Sequence, residues 1–296
     1  MIHLEEQLNN WATSVEQLHI TPDIATRLGH FLEEAQANER KLDVFLYTYP
    51  VSGKLVTGFI VAPKKIKQKL PVIIFNRGGT GDFGMIPKGQ YFTRIARMAN
   101  WGYIIVGSYY PGNSFSEGTD ERGGDSDIAS VRKLHSLIRY LNMADESRIG
   151  MYGESRGGMM TYICMRNATW LTAAVTVGGL TNLRRSLSDR PEMKQIFEMS
   201  FGNTDEGIKR RSAVEWPEDM SKEIPLCIIH GGADQQVNPL DAIELAQSLE
   251  RTSHPYSLHV IHEGNHMLTN KHLERDAIIK AWFDKHTKQT NEALEV

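Results

Sequence analysis

A serine framed by glycines, Gly153-Glu154-Ser155-Arg156-Gly157-Gly158, lies between an apolar stretch, RIGMY, and a helical one, MMTYICM. That setting predicts a strand-to-helix turn with Ser155 at its apex. Such a turn is strained and lifts the hydroxyl above a sheet, and its glycines are needed where backbone passes too close for a Cβ. A serine hydroxyl is a poor nucleophile unless a base takes its proton and an acid orients the base. On this architecture the three follow in the chain order serine, acid, histidine. Downstream, PLCIIH runs into Gly231-Gly232-Ala233-Asp234, and YSLHVI runs into Glu263-Gly264-Asn265-His266. Asp234 and His266 are thereby predicted just beyond two strand ends. Asp241 is a weaker acid candidate, because it falls inside the helix expected after Pro239. Of the eleven histidines, His230 and His262 precede these loops and are read as supporting them. His254 and His259 lie before and within the last strand.

Acyl transfer also needs donors for an oxyanion. Strand LPVIIF ends in Asn76-Arg77-Gly78-Gly79-Thr80-Gly81. The Gly78 N–H, with that of Arg156 after the nucleophile, would supply two donors to a tetrahedral intermediate. A phosphate loop is disfavoured, since no lysine-serine or lysine-threonine pair follows the glycines. His262-Glu263-Gly264-Asn265-His266 matches the zinc-protease string H-E-x-x-H, which works only with both histidines on one helix face. A β-type run leads directly into it, glycine and asparagine occupy its centre, and no third ligand follows beyond His272. A strand-to-loop turn with no metal is expected.

These residues need a scaffold. Leu4, Leu8, Trp11, Val15 and Leu18 recur in alternating steps of four and three, predicting one amphipathic helix. A second is expected from Thr21-Pro22, an N-cap followed by proline, with Ile24, Leu28, Phe31 and Leu32 on one face. The near-heptad spacing of the first leaves a homo-oligomer open. Leu42–Tyr49 and Lys54–Ala62 then read as a hairpin, and Lys64, Lys65, Lys67 and Lys69 as a solvated loop. Apolar strands are expected at Leu70–Phe75, Tyr103–Ser108, Arg148–Tyr152, Thr172–Val177, Pro225–His230 and Tyr256–Ile261. Helices are expected at about Gly89–Asn100, Asp125–Asn142, Ser155–Asn167, Pro239–Leu249 and Lys271–Lys285. This alternation is the pattern of an α/β fold, a mostly parallel sheet with helices on both faces. Leu180–Glu223 is polar and too long for a plain connection, and reads as a small helical insertion at the sheet's C-terminal edge.

Thirty-three basic against thirty-six acidic residues give a net charge of −3, and 41% of residues are hydrophobic. No strong field draws such a chain to nucleic acid or to an acidic membrane surface. The start, MIHLEEQLNN, is acidic where a secretory signal is basic, and no window holds the ~20 apolar residues of a membrane span. Cys164 and Cys227 sit in apolar segments and read as buried small hydrophobes. A cytoplasmic protein is expected, with residues 1–40 as a helical extension and 41–296 as a catalytic domain carrying an insertion at about 180–223.

The blocks NRGGTG, ADESRIGMYGESRGGMM, IPLCIIHGGADQQVNPLDAIEL and HEGNHML, in that order, resemble the catalytic domain of the prolyl oligopeptidase family of α/β-hydrolases, over roughly Leu42 to Lys285. The resemblance implies the α/β-hydrolase fold, Ser155 as nucleophile, Asp234 as triad acid and His266 as base. It also implies hydrolysis through an acyl-enzyme, with no cofactor. Family peptidases usually carry a β-propeller ahead of this domain, whereas about forty mainly helical residues precede the hairpin here. Arg77 stands where the family often has tyrosine or histidine; it could assist an oxyanion, bind a substrate carboxylate or pair with Asp82. Tyr109, in the loop after YIIVGS, and the 180–223 segment are the expected specificity elements, while Trp216 and Phe197 are read as core. The expected function is a serine hydrolase cleaving an ester or amide acyl bond of a small molecule or short peptide, with carboxylesterase and peptidase both open. A non-catalytic binding protein on the same fold is the alternative.

Overall fold

Nine strands form among residues 3–166, 168–202 and 204–288, which a computed structural model describes. They are β1 (Ser14–Gln17), β2 (Leu42–Val51), β3 (Lys54–Pro63), β4 (Leu70–Asn76), β5 (Ile104–Ser108), β6 (Ala144–Glu154), β7 (Ala173–Val177), β8 (Leu226–Gly231) and β9 (Tyr256–Ile261). The chain divides into two units: residues up to Phe75 with Thr80–Asp120 and Ala129–Arg148, and Asn76–Gly79 with Glu121–Ile128 and the chain from Ile149 onward.

In the first unit the predicted hairpin is β2–β3, antiparallel, with Val51 opposite Lys54. Its two-residue turn puts Ser52 at φ 48° and Gly53 at φ 78°, the left-handed pair whose twist suits a tight hairpin. The first helix is shorter than its periodicity predicted: α1 spans Leu4–Trp11, and residues 14–17 instead form β1, antiparallel to β2. The edge of β2 offers Ser14–Gln17 a hydrogen-bonding partner. Leu18 is still buried, so it keeps its apolar contact without helix. Trp11, closing α1, stacks on Tyr49 at 5.3 Å between ring centres. The second helical stretch breaks into α2 (Pro22–Leu28), one 3₁₀ turn and α3 (Leu32–Lys41), and α2 is capped as expected by Thr21 Oγ1 accepting from Ile24 N. The lysines at 64, 65, 67 and 69 are exposed in a loop. The later helices are α4 (Arg94–Asn100) and α5 (Asp125–Tyr140).

The second unit carries the chemistry. From Ile149 on, β6, β7, β8 and β9 are consecutive parallel neighbours. Strands β7 and β8 are buried at every residue, as apolar runs sandwiched on both faces must be. Their helices are α6 (Arg156–Met165), α7 (Leu183–Asp189), α8 (Met193–Phe201), α9 (Asp205–Arg210), α10 (Pro239–Arg251) and α11 (His272–Phe283). The 180–223 segment is helical, as predicted, and has its own small core of Leu183, Leu187, Phe197 and Ile208. Each such burial stabilises by about 1.5–3 kcal/mol. Arg211 roots the segment: buried, it donates to the carbonyls of Glu121, Arg122 and Gly207 and lies 4.0 Å over the Phe201 ring. Among the described residues Cys164 and Cys227 are buried and form no disulfide, and burial pushes the Cys227 thiol up to about 12. Among the described residues no helix is long and apolar enough to cross a membrane.

Candidate active site

Strand β6 ends at Glu154 and α6 begins at Arg156, so Ser155 is the only residue of the turn. It is held at φ 53°, ψ −120°, a conformation costly for any residue with a Cβ. Val177 O accepts from Ser155 N at 2.9 Å and fixes the apex to the end of β7. The flanking glycines are steric requirements. A Cβ on Gly153 would lie 2.2 Å from Gly157 O, and one on Gly157 would lie 2.0 Å from Asn76 O. Met159 and Met160 behind the turn are fully buried helix-packing residues.

The structure brings Asp234 and His266 together: His266 Nδ1 and Asp234 Oδ2 are 2.7 Å apart, with the two side chains 9% and 0% exposed. The other carboxylate oxygen, Oδ1, accepts from the backbone N–H groups of Gln236 and Val237 at 2.8 and 3.0 Å. Burial alone would raise this carboxyl. Hydrogen bonds from His230 and His266, the His266 charge and the Val237 N–H overcome it and hold Asp234 well below the usual carboxylate range. It is thus an anion across the neutral range, suited to orient an imidazole through Nδ1–H. His266 also rests on the strand end that holds the serine, since a Cβ on Gly178 would sit 3.1 Å from His266 Nδ1. Among the described residues the Ser155 hydroxyl makes no hydrogen bond, the looser arrangement common before a substrate is bound.

The glycine loop after β4 reaches the serine. A Cβ on Gly78 would lie 3.1 Å from Ser155 Cβ. Arg156 ties this loop to the turn through its side chain, which the sequence did not foretell. Its Nη1 donates to Gly79 O at 3.1 Å and its Nη2 pairs with Asp127 Oδ2 at 2.7 Å. Asp127 Oδ2 also accepts from Gly123 N at 2.7 Å. The ion pair is buried, at 5% and 0% exposure. Removing one partner of such a pair leaves an uncompensated buried charge, at a cost of roughly 3–5 kcal/mol. Asp127→Ala is therefore expected to lower the Tm by on the order of 10 °C, measured by thermal denaturation; a Tm within 2 °C of wild type would contradict this role. Asp127 was missed because an acid in a first helical turn reads as a dipole partner, and its true partner lies far along the chain.

Other candidates lie elsewhere. Arg77 is buried, and its Nη1 donates to Gly78 O at 2.9 Å. Tyr109, in the first unit, is buried with its hydroxyl bonded to that of Tyr91 and to Ile86 O. Asp241 accepts from Thr181 N and Asn182 N and faces Arg185, anchoring the connection between β7 and α7. Burial outweighs these partners and pushes its carboxyl up to about 6. Phe197 and Trp216 are buried packing residues, Trp216 donating its Nε1–H to Lys209 O. Residues 262–266 form a turn with Glu263 at φ 56°, and the His262 side chain is 94% exposed. Its two histidines therefore share no helix face. Among the described residues no cluster of metal-ligating side chains forms.

The profile of the prolyl oligopeptidase family, a peptidase family, matches residues 90–290. The chain belongs to the prolyl oligopeptidase family. A relative from Bacillus subtilis, the uncharacterized peptidase YtmA, is 26% identical over 217 residues, which cover 72% of this chain and 82% of the relative. Human dipeptidyl peptidase 8 is 22% identical over 73% of this chain but only 25% of its own length. The acylaminoacyl peptidase of Pyrococcus horikoshii superposes with a TM-score of 0.74 at 21% identity, over 86% of this chain and 43% of that one. The chain thus spans less than half of the larger family members it matches. The structural likeness establishes the α/β-hydrolase fold that the sequence predicted.

Proposed function

We propose that this chain is a serine peptidase of the prolyl oligopeptidase family that cleaves acyl bonds, amides foremost, in short peptides or similarly small substrates. Ser155 Oγ attacks the substrate carbonyl while His266 Nε2 takes its proton. Asp234 keeps the proton of the resting imidazole on Nδ1 and stabilises the imidazolium that forms. Backbone N–H groups of Gly78 and Arg156 receive the oxyanion. Collapse of the tetrahedral intermediate passes the proton from His266 to the leaving amine and leaves an acyl-enzyme on Ser155. Water activated by the same histidine then releases the acid.

The observation that carries this reading is the His266–Asp234 hydrogen bond, resting on the same β7 end that pins the strained Ser155. The family membership favours amides over esters. Amide cleavage demands protonation of a poor leaving group, so it tests the base as ester cleavage does not. An aminoacyl anilide and its matching ester are both expected to be turned over by wild type, with both activities lost in Ser155→Ala. Turnover of the ester alone, at any anilide concentration, would replace the peptidase reading with an esterase.

A further inference from the structure

His230 sits next to last in β8 with its side chain entirely buried. Its Nε2 lies 3.1 Å from Asp234 Oδ2 and 3.0 Å from Val237 O. Both neighbours are acceptors, so Nε2 carries a proton. Nδ1 is buried and has no hydrogen-bond partner among the described residues. A bare lone pair is tolerated there, but an N–H at Nδ1 would be a buried donor with nothing to receive it. The ring is thereby fixed as the neutral Nε2–H tautomer. The groups around it are Asp234 and Val237 O from the loop after β8, His266 from the loop after β9, and Asp241 of α10.

Asp234 Oδ2 accepts from His266 Nδ1–H and lies 3.1 Å from His230 Nε2, whose proton also faces Val237 O, while Oδ1 receives two backbone N–H groups. A carboxylate offers about four acceptor directions, and here each faces a donor. It has no freedom to rotate away from His266. We propose that His230 is a second, non-reacting histidine of the triad: a positioning residue whose Nε2–H locks Asp234 toward His266 and moderates the negative charge that His266 feels. It deepens the peptidase reading and rests on it. Without this donor Asp234 would be free to tilt, and the imidazole of His266 would lose its fixed orientation toward Ser155.

The test is the second-order rate of labelling of Ser155 by a fluorophosphonate, followed by intact mass, in the full chain. His230→Phe, apolar and of similar size, is expected to label about 10–100-fold more slowly, the scale of one lost hydrogen bond to a charged group. His230→Gln, whose amide N–H reaches about as far as Nε2, is expected to stay within about 3-fold of wild type. Equal losses in both variants overturn the inference and leave His230 a packing residue. Should neither variant fold, wild type decides: ¹⁵N-histidine NMR is expected to show His230 as the Nε2–H tautomer. An Nδ1–H form overturns it. Failure of wild type to label at all removes the hydrolase reading and this inference together, whereas normal labelling in both wild type and His230→Phe removes the inference alone.

Discussion

Ser155→Ala is expected to lose hydrolysis by roughly 10⁴–10⁶-fold and to take up no fluorophosphonate, while remaining folded. The magnitude follows from how a triad works: removing the nucleophile costs about as much as removing the whole relay, because only oxyanion binding and substrate positioning survive. Folding should survive because the features that shape the turn are not in the hydroxyl. Gly153 and Gly157 make room for the neighbouring backbone, Val177 O receives the Ser155 N–H, and the Arg156–Asp127 pair ties the turn to Gly79. Alanine retains the Cβ and therefore the strain at φ 53°, so stability should change little. Intact mass decides it, with one adduct on wild type and none on the variant. Equal hydrolysis by the two proteins would mean that Ser155 is not the nucleophile and would favour a binding protein on this fold.

The α/β part of the fold was legible because its signals are local and agree with one another. The apolar runs that became β4 to β9 are long, β-branched and bounded by turn residues, and a strand buried on both faces tolerates little else. The 14–17 segment was not legible. Val15 and Leu18 fit a helical stripe with Leu4, Leu8 and Trp11, and pairing with β2 outweighed that periodicity over four residues. Local pattern does not report the partner an edge strand provides.

The candidate site divides in the same way. Ser155, Asp234 and His266 announce themselves because each stands directly after an apolar strand, in the order the fold requires, and the structure joins Asp234 to His266. Asp241 was set aside on its helical position alone, and it lies against the β7–α7 connection instead. What the sequence concealed are the side chains that act through others. Arg156 reads as the residue that follows a nucleophile, yet its guanidinium holds both Gly79 and Asp127. His230 reads as the tail of a strand, yet it shares the oxygen of Asp234 that meets His266. Contacts of this kind depend on a rotamer and on which carboxylate oxygen is already occupied, and neither has a sequence period.

Asp234→Asn is expected to cost about 10⁴-fold in kcat with little change in KM, the scale seen when a triad acid becomes an amide. Here the reason can be read from the four contacts. The backbone N–H groups of Gln236 and Val237 approach Oδ1, so an asparagine must keep its carbonyl oxygen there and turn its NH₂ toward His266 and His230. His266 Nδ1 then faces a donor and has to accept, which moves the imidazole proton to Nε2, the atom that should receive the proton of Ser155. His230 Nε2–H meets the same NH₂ and is left with Val237 O alone. The variant is thus inactive through a wrong tautomer rather than a lost fold. Stability carries a second sign. Because Asp234 is held below the ordinary carboxylate range in the folded chain, its contribution is complete above about pH 4 and is lost as pH falls through the folded value. The asparagine variant should lack that acid-side loss, so the Tm difference between wild type and variant should shrink as the pH falls below about 4. Parallel kcat–pH and Tm–pH series on the two proteins measure both effects, and an Asp234→Asn variant within ten-fold of wild type in kcat would remove Asp234 from the triad.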